Sequence, residues 1–229
     1  FLTDLDPPLK LIETLRREGG RIPRLAGHLD RLGRSAAWFG FAFDAEALQE
    51  RLQHAGGDDG VWRIRLTLAK DGHVAISATA LAEEPGGERL ALLAAAAVDS
   101  RNPLQGHKTT AREHYDRALA AIAARPEVFD VVFCNQRGEL AEGARSTLFV
   151  PREGVLFTPP LASGALPGVL RAELLAAGLA REQILFPTDL GRGFLLGNAL
   201  RGLVPVRLGD GWVTFGADES RGCRPERGR

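Results

Sequence analysis

The sequence predicts an α+β chain of two lobes, on three observations. Apolar residues recur at helical spacing in Leu25, Leu29, Leu32, Ala36 and Phe39. The period then changes to two, with Arg63, Arg65 and Thr67 alternating against Trp62, Ile64, Leu66 and Leu68. Beyond Asp130, short strand-like runs follow at close spacing, the mark of a compact barrel-like sheet. Between the patterns, the polar stretch from Asp99 to Gly106, with Pro103 inside it, reads as a connection. The expected organisation is a small sandwich-like α+β lobe over 1–98, a connection over 99–106, a pseudo-barrel lobe over 107–216 and a flexible tail over 217–229.

In order, Leu9 to Arg16 alternates and meets Glu18-Gly19-Gly20, which predicts a hairpin returning through Arg21. The first helix ends at Gly40; a second runs from an Asp44 cap through Leu48 and Leu52. Asp71-Gly72 turns the strand over Val61–Ala69 into another ending at Ala80, and Leu90 to Val98 is expected as a third strand of the same lobe. Thr110-Ala-Arg-Glu113 reads as a capping box for a helix with Tyr115, Ala118, Leu119 and Ile122 on one face. Strands are predicted at Asp130–Asn135, Glu139–Glu142, Ser146–Val150 and Gly154–Thr158. A helix with Pro167 in its first turn closes at Gly178, and strand and turn return over Phe194–Val206.

Lys+Arg and Asp+Glu both number 29, so the formal net charge is zero, which leaves no electrostatic footprint for nucleic acid. The longest apolar run, Leu90 to Val98, is too short to cross a bilayer, and no signal peptide is visible. Cys134 and Cys223 suggest neither a disulfide framework nor metal spacing, and the five histidines form no metal-binding pattern; a reducing cytoplasm and no metal are the expectations. The chain contains no methionine, which suggests a processed product or a piece of something longer.

Lysine occurs only at Lys10, Lys70 and Lys108; arginine supplies the other cations. Lys108 would lie just ahead of a helix N-terminus, where the dipole disfavours a cation by about 0.3–1 kcal/mol. A lysine, unlike an arginine, can be made neutral and nucleophilic, as Schiff-base chemistry requires; the alternative is a solvated loop lysine. A phosphate-binding P-loop is excluded, because Asn102 and His107 occupy its glycine positions. Glu142 ends a strand directly before Gly143, so it either points a carboxylate into a site or pairs with Arg145 at the surface. Arg31, the helix start at Gly168-Val169 and the turn at Asn198-Ala199 together offer a guanidinium and backbone N–H donors suited to a phosphate dianion.

Leu11-Ile-Glu-Thr14, His28-Leu-Asp-Arg31, His107-Lys-Thr-Thr-Ala-Arg112 with Tyr115-Asp116, Leu140-Ala-Glu-Gly143, Leu166-Pro-Gly168 and Asn198-Ala-Leu-Arg-Gly202 together resemble the fold type IV pyridoxal-phosphate enzymes. That group includes branched-chain and D-amino acid aminotransferases and 4-amino-4-deoxychorismate lyases. Lys-Thr-Thr-x-Arg followed by Tyr-Asp is most similar to the lyase branch, above all to the form fused behind a chorismate-aminating synthase component. The resemblance implies pyridoxal 5'-phosphate as cofactor, Lys108 as its Schiff-base lysine and Glu142 as partner of its ring nitrogen. It implies a phosphate held by Arg31 and by backbone at Gly168-Val169 and Asn198-Ala199. Arg112 would face substrate carboxylates. Arg65 is a further substrate-binding candidate, with a solvated strand arginine as the alternative, and Tyr115 either touches the cofactor or only packs. The implied reaction yields 4-aminobenzoate and pyruvate, toward folate. An aminotransferase of the same fold, or a catalytically silent module of a fused synthase, are the rivals. A homodimer is implied, with a fused partner as another possibility, since fewer residues precede the Glu-Thr motif than family members usually carry.

Overall fold

The computed structural model describes residues 8–83, 86–191 and 193–215; the expected tail lies outside the described residues. The chain divides into two units, one of Phe1–Glu84 with His107–Ala111 and Ala199–Arg201, the other of Pro85–Gly106, Arg112–Asn198 and Gly202–Arg229.

In the first unit, β1 (Leu11–Glu18), β2 (Val61–Leu68) and β3 (Val74–Ala80) form an antiparallel sheet in that order. The register sets Leu11 opposite Leu68, Glu13 opposite Leu66 and Leu15 opposite Ile64. Strand side chains alternate, so these six share one face, and all are buried. Helices α1 (Leu25–Phe39) and α2 (Ala45–Gln53) bring their apolar positions, Leu32, Ala36, Leu48 and Leu52, into burial as the spacing predicted. Asp44 caps α2 through the Ala47 N–H at 3.0 Å. The other end of α2 is closed by Arg17, buried on the apolar face of β1, which donates to the carbonyls of Gln53 (2.6 Å) and Leu52 (3.4 Å) and to Asp58. The expected hairpin after Glu18 shrinks to one bridge to Arg21 across Gly19 and Gly20, because the chain enters α1 four residues later.

The second unit holds one eight-stranded sheet ordered β6 (Leu140–Gly143), β5 (Val128–Cys134), β4 (Leu90–Ala94), β11 (Gly202–Val213), β10 (Phe194–Asn198), β7 (Thr147–Arg152), β8 (Val155–Thr158) and β9 (Ala180–Glu182). The strand expected over Leu90–Val98 thus belongs to this sheet, parallel to both β5 and β11, and the boundary expected after residue 98 falls at residue 84. The physical reason is its composition. Leu90-Ala-Leu-Leu-Ala94 is apolar without alternation, which suits a central strand covered on both faces rather than a sheet with one wet face.

β6 and β7 stand first and sixth in the order, yet only residues 144–146 join them. A flat sheet would separate them by about 24 Å at the usual strand spacing. Four Cα steps reach at most about 14 Å, so the sheet curls on itself. The curl encloses one apolar core containing Leu93, Phe129, Val132, Leu148, Leu196 and Val206. A second core on the other side of β5 joins Val131 and Phe133 to Tyr115, Ala118 and Ile122 of α3 (Glu113–Ala121). α4 (Val169–Ala176) packs by Leu170 and Leu174 against Phe149 and Ala180. Cys134 is fully buried in β5; Cys223 lies outside the described residues. No described helix is long and apolar enough to cross a membrane, and no metal-binding cluster occurs among the described residues.

Candidate active site

The stretch around Lys108 is built differently from the sequence expectation. Thr110 caps no helix: its hydroxyl accepts the Lys10 N–H at 2.9 Å, and α3 begins only at Glu113 with no side-chain cap. The backbone bonds Ile12 N–H to Lys108 O (2.8 Å) and Thr110 N–H to Lys10 O (2.9 Å) instead lay residues 108–110 antiparallel along the outer edge of β1. An edge strand presents unpaired N–H and C=O groups, and here the lysine segment pairs with them. His107 fixes the segment from the other side, its Nδ1 2.9 Å from Ser35 Oγ and its ring 4.7 Å from Trp38 and 4.9 Å from Phe39 of α1. Burial lowers the His107 pKa, which favours the neutral ring. Lys108, partly exposed, is therefore held by ladder bonds rather than placed by a helix dipole.

Arg31 is buried on the helix-covered face of β1. Its Nε donates to Glu13 Oε1 at 2.8 Å and its Nη2 to Glu13 Oε2 at 2.6 Å, a bidentate pair. His28 Nδ1 lies 2.7 Å from Glu13 Oε2. Burial pushes the Glu13 carboxyl up, but the Arg31 charge and the hydrogen bonds from His28 and Arg31 outweigh it and hold the group at about 2. An ionised carboxylate only accepts, so His28 carries its proton on Nδ1; its buried Nε2 has no hydrogen-bond partner among the described residues. Arg65 pairs in register with Thr14 and Ser77 and is exposed on the opposite face. Lys108, opposite Ile12, falls by alternation on that same face.

In the second unit Glu142 is buried at the end of β6, its Oε1 2.5 Å from the Tyr115 hydroxyl and its Oε2 accepting the Leu166 N–H at 3.0 Å. The surface pair considered for Glu142 is absent: Arg145 turns back to donate to Phe129 O and lies 5.1 Å over the Phe129 ring. Tyr115 packs against Phe133 as its helical spacing predicted and also serves Glu142. Burial first, then the Glu142 charge, raises its pKa well above the ordinary value, so the phenol stays a donor. Gly143 has no room for a side chain, since a Cβ would stand 2.5 Å from both Asp130 Oδ2 and Ser146 Oγ. Arg112 donates through Nε to Asp116 (2.8 Å) and through Nη2 to Ala144 O (2.9 Å), with its side chain 17% exposed. Gly168 precedes α4, whose first N–H groups have no partner within the helix; a Cβ there would stand 2.8 Å from Thr147 Oγ1. Asn198 ends β10, its Nδ2 donating to Arg145 O at 3.1 Å, while Ala199 starts the turn into β11 and is grouped with the first unit.

Glu13, His28 and Asp130 were not singled out from the sequence. The available signal was a carboxylate at an apolar-face position: Glu13 sits two residues from both Leu11 and Leu15 in an alternating strand, and a buried charge needs a partner. The same holds for Tyr115, the only tyrosine, whose hydroxyl on a core-facing helix position must find an acceptor.

The chain is similar in sequence and in fold to several known proteins. A structure of a provisionally named amino-acid aminotransferase from Mesorhizobium loti is 39% identical, with a TM-score of 0.80 over 87% of this chain and 99% of that one. A Schizosaccharomyces pombe protein provisionally named aminodeoxychorismate lyase is 28% identical over 166 residues, 71% of this chain and 72% of that protein. The branched-chain-amino-acid aminotransferase of Escherichia coli is 43% identical over 82 residues, which span 26% of its length. Residues 10–208 match the amino-transferase class IV family as well, and the chain belongs to that family.

Proposed function

We propose that this chain is a pyridoxal-phosphate-dependent lyase that converts 4-amino-4-deoxychorismate to 4-aminobenzoate and pyruvate. The donor set suits that cofactor: a primary amine at Lys108, a buried carboxylate at Glu142 and N–H groups opening α4 beside a glycine that tolerates no Cβ, while the Arg31 guanidinium, bonded to Glu13 through Nε and Nη2, is the phosphate partner that the resemblance implies. Lys108 would carry the cofactor, Glu142 would face its ring nitrogen, and Arg31, Gly168-Val169 and Asn198-Ala199 would hold its phosphate. When bound, that group supplies an electron sink for charge developing at the amine-bearing carbon.

The chain's own residues supply the rest. Tyr115 and the Leu166 N–H fix one oxygen each of Glu142, so its orientation is set before a ligand arrives. The Lys108 amine serves as the base that takes the proton from the amine-bearing carbon, after which loss of enolpyruvate aromatises the substrate.

The observation that carries the lyase reading is Arg112. Asp116 and Ala144 O hold two of its nitrogens and leave Nη1 with no hydrogen-bond partner among the described residues. A guanidinium restrained in this way suits a substrate that bears carboxylates beyond its reacting carbon. An aminotransferase is the second reading, favoured by the 39% identity to the Mesorhizobium loti protein. A homodimer, or attachment to a chorismate-aminating component, belongs to the same proposal and rests on the resemblance.

The test is pyruvate release from 4-amino-4-deoxychorismate with pyridoxal phosphate supplied and no 2-oxo acid present. Pyruvate that disappears in Lys108→Ala is the expected result. A cofactor-loaded protein that releases none, but transfers an amino group once a 2-oxo acid is added, replaces the lyase by the aminotransferase.

A further inference from the structure

The carboxyl group of Asp130 touches none of the candidate binding residues, yet the segment that supports two of them is fastened to it. Asp130 is fully buried in β5, just after a bulge: Leu90 pairs with Val128 and Ala91 with Asp130, leaving Phe129 as the extra residue. Its Oδ2 accepts the Ser146 hydroxyl at 2.5 Å and the Arg145 N–H at 3.1 Å, and its Oδ1 accepts the Val131 N–H at 2.8 Å. The turn of residues 143–146 is closed on itself by Gly143 N–H to Ser146 O, and tied to β5 by Ala144 N–H to Val131 O, both at 2.8 Å. The missing Cβ of Gly143 is what lets Asp130 and Ser146 meet.

Two carbonyls of this turn are spent on side chains already described. Ala144 O receives Arg112 Nη2 at 2.9 Å, and Arg145 O receives Asn198 Nδ2 at 3.1 Å. Glu142 is the residue before the turn. A hydroxyl and two backbone N–H groups converge on Asp130, a set that an acceptor-only group satisfies and an amide cannot. Burial pushes the Asp130 carboxyl up despite the Ser146 bond, so this charge is kept at a cost that a well-packed apolar residue would avoid.

We propose that Asp130 is a positioning residue: through the turn of residues 143–146 it sets the Arg112 guanidinium and the Asn198 backbone together, and so couples substrate-carboxylate binding to cofactor-phosphate binding. This rests on the roles proposed for Arg112 and Asn198. It does not depend on whether the reaction is the lyase or the aminotransferase.

The experiment compares Ser146→Ala, which removes one hydroxyl, with Asp130→Asn. Pyridoxal phosphate affinity is followed by absorbance titration, and KM and kcat are measured with whichever substrate the wild type turns over. We expect both affinity and KM to worsen, by about 10-fold to 100-fold in Asp130→Asn and less in Ser146→Ala, as outer-shell partners typically cost, with kcat changed much less. In an Arg112→Ala background, Asp130→Asn should add little further to KM, because the coupled partner is already gone. Variants that lose thermal stability while cofactor affinity and KM stay at wild-type values would reduce Asp130 to a structural anchor. Full additivity with Arg112→Ala would overturn the proposal even where Asp130→Asn folds poorly, since Ser146→Ala can be cycled in its place. Failure of the lyase reading shows separately, as a wild type that binds cofactor but releases no pyruvate.

Discussion

Glu13 in the first unit and Asp130 in the second are both fully buried carboxyls, and their surroundings push them in opposite directions. Burial pushes both carboxyls up; at Glu13 the bidentate Arg31 guanidinium, with His28, outweighs it and holds the group at about 2, while at Asp130 burial prevails over the Ser146 hydroxyl, the Arg145 charge and two backbone amides. Neutral donors satisfy the lone pairs of a buried carboxylate without replacing its lost hydration; a cation does both. One unit therefore supports its candidate residues with a compensated ion pair, and the other with a hydrogen-bonded charge that remains costly.

The largest test of this contrast is catalytic. Lys108→Ala should lower turnover by about 10²-fold to 10⁴-fold, the usual worth of a positioned base, with unfolding midpoints near wild type, because ladder bonds rather than the side chain hold the segment. A collapse of stability instead would show that the amine itself holds the β1 edge together. Glu13→Ala comes next. It leaves Arg31 buried and without this partner, a loss of about 3–5 kcal/mol by chemical denaturation.

The pH dependence sharpens the comparison. The folded-state value of Glu13 lies below its ordinary 4.5, so its stabilisation is fully present above pH 4.5 and is lost as pH falls toward 2. The unfolding free energy of wild type minus that of Glu13→Gln should shrink by about 3 kcal/mol across that window. Glu139, held at about 2 chiefly by its Arg137 hydrogen bond, titrates in both proteins and cancels in the difference. Asp130 has the reverse sign: its folded form keeps a proton longer than the unfolded chain, so it contributes a fall in stability as pH rises from 3.8. The same subtraction with Asp130→Asn should slope the opposite way, and equal slopes would erase the distinction between the two carboxyls. Smaller again are Gly143→Ala, where a Cβ overlaps two oxygens, and Tyr115→Phe, which leaves Glu142 short of a donor. Each should cost about 1–3 kcal/mol.

Much of the local structure was legible. The helix over Leu25–Phe39 came from its 3.6-residue stripe, the strand over Val61–Leu68 from its alternation, and the Asp44 cap from residue type and position. The candidate residues Lys108, Glu142, Arg31 and Arg112 were singled out as types in a known order, and the roles proposed for them await the tests above. Two readings failed for one reason. Thr110 with Glu113 matches a capping box, and Leu90–Val98 matches a strand of the first lobe, but both were assigned from near neighbours in the chain. Thr110 is instead claimed by Lys10, a hundred residues away, and Leu90–Ala94 by β5 and β11.

What the sequence by itself determined is the set of periodicities and the inventory of reactive groups, because spacing and residue type act over a few neighbours. What only the tertiary structure decided is which buried charge meets which partner. Glu13 meets Arg31 18 residues on, Tyr115 meets Glu142 27 residues on, and Asp130 receives Ser146 16 residues on. Such pairs are settled by strand register and by the curl of a sheet, and burial then makes every unpaired alternative expensive.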